Sequence, residues 1–210
     1  MKSNKHRPHQ TDVRESSFSE RKGYTPERMI VSKIIMLGDA AVGKTSLVNR
    51  FVHRTFKGSY RATLGLDLMF RDILIPGKGT VRLQIWDVAG QTQFRTMRKR
   101  FYAGTAGAVI VFDVTRPNTF QNLNYWVEEL QENIGDIPIA MVGNKADMIG
   151  MIATDEEKEN SWATKNQAVI YLRTSAKTGE NVDDVFEVLA NEVLQTLEKL
   201  NPSAPRRKIP

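Results

Sequence analysis

The chain contains no cysteine in its 210 residues, which excludes disulfide bonds, thiolate metal sites and cysteine nucleophiles. Long apolar runs are missing too, since a run such as AVIVF at 108–112 is far too short to cross a bilayer. The first residues, MKSNKHRPHQ, lack the apolar core of a secretory signal. Histidine is scarce, and the scattered His6, His9 and His53 do not form a metal-binding pattern. We therefore expect a protein of a reducing, cytoplasmic compartment.

The net charge of +6 is confined to the two ends of the chain. Residues 1–28 carry seven basic and four acidic side chains, and residues 201–210 carry three basic and no acidic ones. Residues 29–200 contain twenty of each sign, which argues against a broad nucleic-acid footprint on this part. We predict a disordered basic tail over 1–28, a folded domain over 29–200 and a flexible basic tail over 201–210.

Short apolar runs alternate with helical patterns along the predicted domain, which is typical of an α/β fold with a mostly parallel sheet. The predicted strands cover 32–37, 66–75, 81–88, 108–114, 137–144 and 169–175. The predicted helices cover 44–53, 119–134, 156–165 and 182–200, with Asn181 as a candidate cap of the last. The stretch PGKG between the second and third strands predicts a hairpin, and hence one antiparallel edge strand.

The stretch GDAAVGKTS, residues 38–46, follows a predicted strand and precedes a predicted helix. Its G-x-x-x-x-G-K-[ST] pattern is typical of a loop whose backbone N–H groups, here from Asp39 to Lys44, converge on a β-phosphate. Gly38 and Gly43 permit the tight path of the loop. Lys44 would neutralise the β- and γ-phosphates, and the Thr45 hydroxyl would bind Mg²⁺. A chance glycine-rich turn is the alternative, and the flanking strand and helix argue against it.

The stretch WDVAGQ, residues 86–91, ends another predicted strand. Asp87 would hold Mg²⁺ through water, because Mg²⁺ keeps several of its waters in proteins. Gly90 could turn its N–H toward a γ-phosphate, and Gln91 could orient the attacking water. Taken alone, the motif leaves open that Asp87 is an ordinary turn residue at the end of a strand.

Two later motifs are candidates for recognising the base of the nucleotide. In NKAD, residues 144–147, the Asp147 carboxylate can accept hydrogen bonds from N1–H and the 2-amino group of guanine. Adenine offers neither donor, so a buried carboxylate there would reject it. The stem of Lys145 can cover the base, and in TSAK, residues 174–177, the Ala176 N–H could meet the guanine O6. The four motifs in this order predict a guanine nucleotide.

In these motifs, and in RATLG and FYAGTAGAVIVFDVT, the chain resembles the Ras-like small GTPases, most closely the Rab branch, over about residues 30–200. The resemblance implies an α/β fold of the P-loop NTPase small G-domain type, with a six-stranded, mostly parallel sheet flanked by five helices. It also implies a GTP/GDP switch that uses Mg²⁺ and hydrolyses GTP slowly. Thr63 matches the threonine that closes on Mg²⁺ and the γ-phosphate, and Phe56 matches the aromatic at the guanine edge.

Pattern and resemblance together define the candidate site. The candidate catalytic residues are Gln91, Lys44, Thr63 and Gly90. The candidate metal ligands are Thr45, Thr63 and, through water, Asp87. The candidate nucleotide-binding residues are Gly38, Asp39, Ala40, Ala41, Val42, Gly43, Lys44, Thr45, Ser46, Phe56, Thr63, Gly90, Asn144, Lys145, Asp147, Ser175, Ala176 and Lys177.

The resemblance implies that effectors, an exchange factor and a GTPase-activating protein bind through residues 55–66 and 88–101. A basic run in the second of these segments, formed by Arg95, Arg98, Lys99 and Arg100, predicts a solvated, partner-facing surface. Because the sequence ends in SAPRRKIP without cysteine, we expect no lipid anchor and at most weak electrostatic contact with membranes. The expected location is cytoplasmic, with peripheral membrane contact at most.

Two classes of function fit these motifs. The first is a regulatory GTPase, which Gln91 favours, and the second is a scaffold that loads GTP and hardly hydrolyses it. Three departures from the family pattern support the second class, namely Ala40, Val88 and Thr92. A nucleotide kinase is a distant third, because the motif spacing leaves little room for an acceptor-binding lid. Arg61, two residues before Thr63, is favoured as an ordinary solvent-facing loop residue, and a stabilising arginine in cis is the more speculative alternative.

Overall fold

The computed structural model describes residues 29–56, 58, 63, 65–91 and 95–200, without the side chains of Arg95 and Met97. Both predicted tails, Arg61 and Thr92 lie outside the described residues. The described part contains a six-stranded sheet in the order β2-β3-β1-β4-β5-β6. The strands are β1 (Met29–Leu37), β2 (Leu66–Ile75), β3 (Gly79–Val88), β4 (Thr105–Asp113), β5 (Ile139–Asn144) and β6 (Ile170–Thr174). The predicted six-stranded α/β fold is confirmed.

The hairpin is the antiparallel part of this sheet. Strand β2 pairs antiparallel with β3 from Leu66↔Val88 to Ile75↔Gly79, and the remaining strand pairs are parallel. The turn between them uses Gly77 at φ 74° and Gly79 at φ 109°, a region that residues with a Cβ disfavour. The predicted hairpin and antiparallel edge strand are therefore correct.

The helices are α1 (Lys44–His53), α2 (Arg95–Arg98), α3 (Pro117–Gln121), α4 (Leu123–Ile134), α5 (Glu156–Lys165) and α6 (Val182–Leu200). Helices α1, α5 and α6 have the predicted bounds, but the single helix predicted over 119–134 is wrong. Pro117 takes a first-turn position of α3, where its missing N–H costs nothing, and the break falls at Asn122. Asn181 takes a φ of 56°, and its side-chain amide donates to the Arg173 carbonyl at the end of β6.

The sheet has an apolar core on each face. Alternate residues of β1 point to opposite sides, so that Ile34 and Met36 join the core beneath α1 and α6, while Ile35 and Leu37 join the core beneath α4. This alternation fixes the register of β1 between β3 and β4. Because the parallel strands all run the same way, the loops after their carboxyl ends meet along one edge of the sheet, which is where open α/β sheets bind ligands.

Candidate nucleotide-binding site

A cavity of about 760 Å³ opens at this edge, within the size range of small-molecule sites. Its lining residues are Ala40, Ala41, Gly43, Lys44, Thr45, Ser46, Asn49, Phe56, Gly58, Thr63, Ala89, Gly90, Gln91, Asn144, Lys145, Asp147, Met148, Ala176 and Lys177. All four sequence motifs contribute to this wall. The predicted site residues that do not line it each make a hydrogen bond to one that does, and they are Gly38, Asp39, Val42, Asp87 and Ser175.

Glycine is required at two positions of the phosphate loop, because neighbouring atoms lie where a Cβ would stand. Gly38 has φ 134°, and a Cβ there would lie 2.1 Å from the Val111 carbonyl oxygen. Gly43 has φ 102°, and a Cβ there would lie 2.1 Å from the side-chain nitrogen of Asn144. Both approaches are far below van der Waals contact, so any other residue would displace the loop or its neighbours. The loop between them turns its backbone toward the cavity, with Ala41 in the left-handed region at φ 61°.

Helix α1 presents its N-terminus to the cavity. Its cap, Gly43, offers no side-chain acceptor, and its first turn contains no acidic residue, so the positive end of the helix dipole is left for a ligand. Lys44 is buried beside it and donates to the carbonyls of Gly38 at 2.8 Å and Asp39 at 2.9 Å. Burial lowers the pKa of Lys44 to about 8, although the Asp87 and Asp39 carboxylates act in the opposite direction. An anionic group in the cavity would stabilise this cation, which is what a phosphate requires.

Three oxygen-bearing side chains meet below the phosphate loop. The Thr45 hydroxyl lies 2.8 Å from the Thr63 hydroxyl and donates to Oδ2 of Asp87. Burial raises the pKa of Asp87, outweighing the hydrogen bond from Thr45 and the charge of Lys44. Its other oxygen, Oδ1, is buried and has no hydrogen-bond partner within the described residues. Hydroxyl and carboxylate oxygens are the ligands that Mg²⁺ prefers, so these residues fit the predicted metal.

The residues after β3 pack directly on the phosphate loop. A Cβ on Gly90 would lie 2.3 Å from the Gly38 carbonyl oxygen and 2.6 Å from Nζ of Lys44, so only glycine fits. The N–H of Ala89 donates to the Gly65 carbonyl at 3.0 Å, which links the start of this segment to the segment that carries Thr63. Gln91 lines the cavity next to them. The two candidate catalytic segments are thus joined by backbone contact.

Arg98 is buried, and the predicted solvated, partner-facing role is wrong for it; Lys99 and Arg100 are exposed as predicted. The Arg98 guanidinium donates to Glu129 of α4 through Nε at 3.0 Å and Nη2 at 3.1 Å. It also donates to the carbonyls of Ala89 at 3.2 Å and Gln91 at 3.0 Å. The physical reason is that a buried carboxylate on a neighbouring helix satisfies the charge, so Arg98 connects the Gln91 backbone to α4.

The base-recognition motifs meet at the far end of the cavity. Asn144 donates to the Val42 carbonyl at 2.9 Å and accepts from the Ala176 N–H at 3.2 Å, so one side chain joins the phosphate loop to the TSAK loop. Asp147 accepts from the Ser175 hydroxyl at 2.7 Å through Oδ1. The expected contact of the Ala176 N–H with guanine O6 therefore requires that this N–H be shared with Asn144.

A buried carboxylate that the sequence analysis did not single out lies beside these motifs. Asp113, at the end of β4, accepts from Nζ of Lys145 at 2.6 Å and from Nε of Arg116 at 2.9 Å. Burial acts to raise the pKa of Asp113, but hydrogen bonds from Lys145, Thr115 and Arg116 outweigh it and hold the pKa below its usual range. The strand-end position that singled out Asp87 is the signal that could have identified Asp113.

Further supporting residues carry no sequence signal of their own. Nε of Arg50 on α1 donates to the Ala176 carbonyl at 2.8 Å, and Nη2 of Arg50 donates to the Lys177 carbonyl. Asn49 donates to the Thr45 carbonyl at 2.8 Å. Asn49 and Met148 also line the cavity. Each contact joins separate motifs or successive turns of a helix, which a linear pattern does not indicate.

Comparison with known proteins gives a consistent result. A family model described as the Ras family matches residues 33–195. The chain is 41% identical to the Ras-related protein RABG3c of Arabidopsis thaliana over 175 residues, which is 80% of this chain and 84% of that protein. It is 37% identical to the Ras-related protein Rab7 of Pisum sativum over 179 residues, which is 82% of this chain and 86% of that protein. The matched region contains every motif of the cavity.

Proposed function

The chain belongs to the Ras family of small GTPases and is a Rab-like GTP-binding regulator of trafficking that hydrolyses GTP to GDP. On this premise we propose which of its residues bind the nucleotide and the metal and which support hydrolysis. Lys44 and the N–H groups of the phosphate loop bind the β- and γ-phosphates. Asp147 selects guanine, with Lys145 against the base and Phe56 at its edge. The observation that supports these assignments is that one cavity holds an uncapped helix N-terminus, a buried lysine and a carboxylate at its far end.

Magnesium is the metal that these residues would hold. Thr45 and Thr63 would bind it through their hydroxyls, and Asp87 through water, because Asp87 already accepts the Thr45 hydroxyl. When bound, the ion neutralises negative charge on the β- and γ-phosphates. The residues themselves supply a set of hard oxygen atoms in a partly buried position, and Oδ1 of Asp87, which has no hydrogen-bond partner within the described residues, would accept a hydrogen bond from a coordinated water.

Gln91 is the proposed residue that orients the attacking water, and Gly90 the proposed N–H donor to the γ-phosphate. Gln91 lines the same cavity as Thr63, and its carbonyl is fixed by Arg98 at 3.0 Å. These positions favour a hydrolysing switch over a scaffold that only loads GTP. Residues 55–66 and 88–101 are the proposed surfaces for effectors, an exchange factor and a GTPase-activating protein.

No helix within the described ranges is both long and apolar enough to cross a bilayer. The expected cytoplasmic location, with reversible electrostatic contact at membranes, stays a prediction that rests on the basic residues near the ends of the sequence.

Hydrolysis of protein-bound GTP in a single turnover tests the proposed function. We expect the parent chain to hydrolyse GTP at about 10⁻⁴ to 10⁻³ s⁻¹, as unassisted small GTPases do. Gln91→Leu should lower that rate about tenfold or more without abolishing GTP binding. Gln131→Leu is the matched control, since Gln131 is exposed near the end of α4, and it should leave the rate unchanged. Equal rates in the parent and Gln91→Leu would remove Gln91 as the residue that orients the water, and a parent rate far below this range would favour the scaffold.

A further inference from the structure

Arg116 bonds the phosphate loop from outside the cavity. It stands in the turn between β4 and α3, and its Nη2 donates to the Ala40 carbonyl at 3.1 Å. Its Nε lies 2.9 Å from Oδ2 of Asp113, so the guanidinium bridges a buried carboxylate and the loop. Arg116 has no part in the nucleotide binding, metal binding and hydrolysis proposed above.

The contact fixes the direction of one peptide unit. In a trans peptide the carbonyl and the following N–H point to opposite sides. The Ala40 carbonyl points out to Arg116, so the Ala41 N–H points the other way, and both residues line the cavity. A donor charge on the carbonyl also polarises the peptide and strengthens its N–H as a donor.

Ala41 needs such a restraint. Its φ of 61° lies in the left-handed region, where the alanine Cβ crowds the backbone, and such residues persist only where their surroundings hold them. Asp39, two residues before Ala41, is held as well, because its carboxylate accepts from Nε1 of Trp126 at 2.8 Å and from Nδ2 of Asn122 at 2.7 Å. Residues 39 and 40 are therefore held by three donors from the segment 116–126.

We propose that Arg116 is a positioning residue that holds the Ala40–Ala41 peptide in the orientation that binds phosphate. The Asp113 carboxylate extends the connection to the base end, since the oxygen that accepts from Arg116 also binds Nζ of Lys145 at 2.6 Å. The proposal rests on the proposed nucleotide site, and it assigns Arg116 a role in binding the phosphates rather than the base.

Release of a fluorescent GDP analogue at saturating Mg²⁺ measures the effect. Arg116→Ala should speed release about three- to tenfold, which is what losing one charge-assisted hydrogen bond at a partly exposed site gives. Arg116→Lys should speed release less than Arg116→Ala does. Its ammonium can reach Asp113 or Ala40, but only the forked guanidinium of arginine can reach both. Arg82→Ala is the matched control: the Arg82 side chain is 42% exposed and donates to Asp72 on the hairpin at 2.7 Å and 2.8 Å. It should leave release unchanged.

Comparison of GDP with GMP separates positioning from general structural damage. GMP lacks the β-phosphate that the loop binds, so Arg116→Ala should weaken GDP binding while changing GMP binding less than about twofold, as measured by competition. Equal losses for the two nucleotides would assign Arg116 a purely structural role, and unchanged GDP release would overturn the proposal. Failure of the parent chain to bind GDP would instead refute the proposed function.

Discussion

The charged cluster between the Gln91 segment and α4 gives the sharpest stability prediction. Arg98 and Glu129 are each 1% exposed and form an ion pair at 3.0 Å. Glu129 also accepts from the Tyr102 hydroxyl at 2.8 Å. Glu129→Ala removes one partner of a buried pair and leaves the guanidinium without its counter-charge, which typically costs 3–5 kcal/mol, so we expect a loss of about 4 kcal/mol.

Urea denaturation at a fixed GDP concentration measures this loss, because bound nucleotide itself stabilises the folded state. With a slope of about 2 kcal/mol per molar urea, the midpoint should fall by about 2 M. Glu128→Ala is the matched control, since Glu128 is the exposed neighbour on the same helix, and its midpoint should move by less than about 0.3 M. Equal shifts in the two variants would refute the reasoning.

A double variant checks the cause. Replacing Arg98 and Glu129 together by methionine removes both buried charges and keeps apolar volume, so it should lower the free energy of unfolding less than Glu129→Ala alone does.

The pH dependence of stability that Glu129 confers has a definite sign. Burial acts to raise the pKa of Glu129, but hydrogen bonds from Arg98, Tyr125 and Tyr102 outweigh it and lower the pKa. The stabilisation is therefore present above about pH 4.5 and is lost as the pH falls through the lowered value, and Glu129→Gln should weaken this acid dependence.

Two further predictions concern the metal and a loop arginine. Chelating Mg²⁺ with EDTA should speed GDP release from the parent chain, whereas Thr45→Ala should release GDP fast with or without EDTA; an unchanged EDTA effect would remove Thr45 from the metal site. Arg61→Ala should lower the single-turnover hydrolysis rate if Arg61 stabilises the transition state in cis, and an unchanged rate would make it an ordinary loop residue.

The motifs could be located from sequence because their chemistry is local. A glycine at positive φ, a lysine at a helix start and an aspartate at a strand end each show in a few consecutive letters, and Gly38, Lys44 and Asp87 lie where predicted. The meeting of the four motifs at one cavity follows from the parallel sheet, since parallel strands end along one edge. Three helices also have their predicted bounds.

Residues that depend on distant partners were not predictable in this way. Arg98 stands in a basic run typical of exposed surface, and its partner Glu129 is 31 positions away. Arg116 bonds Ala40 across 76 positions. The break between α3 and α4 is similar, because apolar spacing continues through it while the Asn122 side chain turns to Asp39. Each case needs tertiary contacts that no local pattern contains.

Competition binding with GTP, ATP and XTP, on the parent chain and on Asp147→Asn, tests the central claim that this cavity selects guanine through one carboxylate. The parent chain should prefer GTP over ATP by about a thousandfold or more, because adenine offers no donor to the Asp147 carboxylate, whose side chain is only 15% exposed. In Asp147→Asn, GTP binding should weaken and XTP should become the preferred nucleotide, since xanthine presents a carbonyl where guanine presents its amino group. A variant that keeps the parent preference for GTP would contradict the assignment of Asp147 and, with it, the account of base recognition.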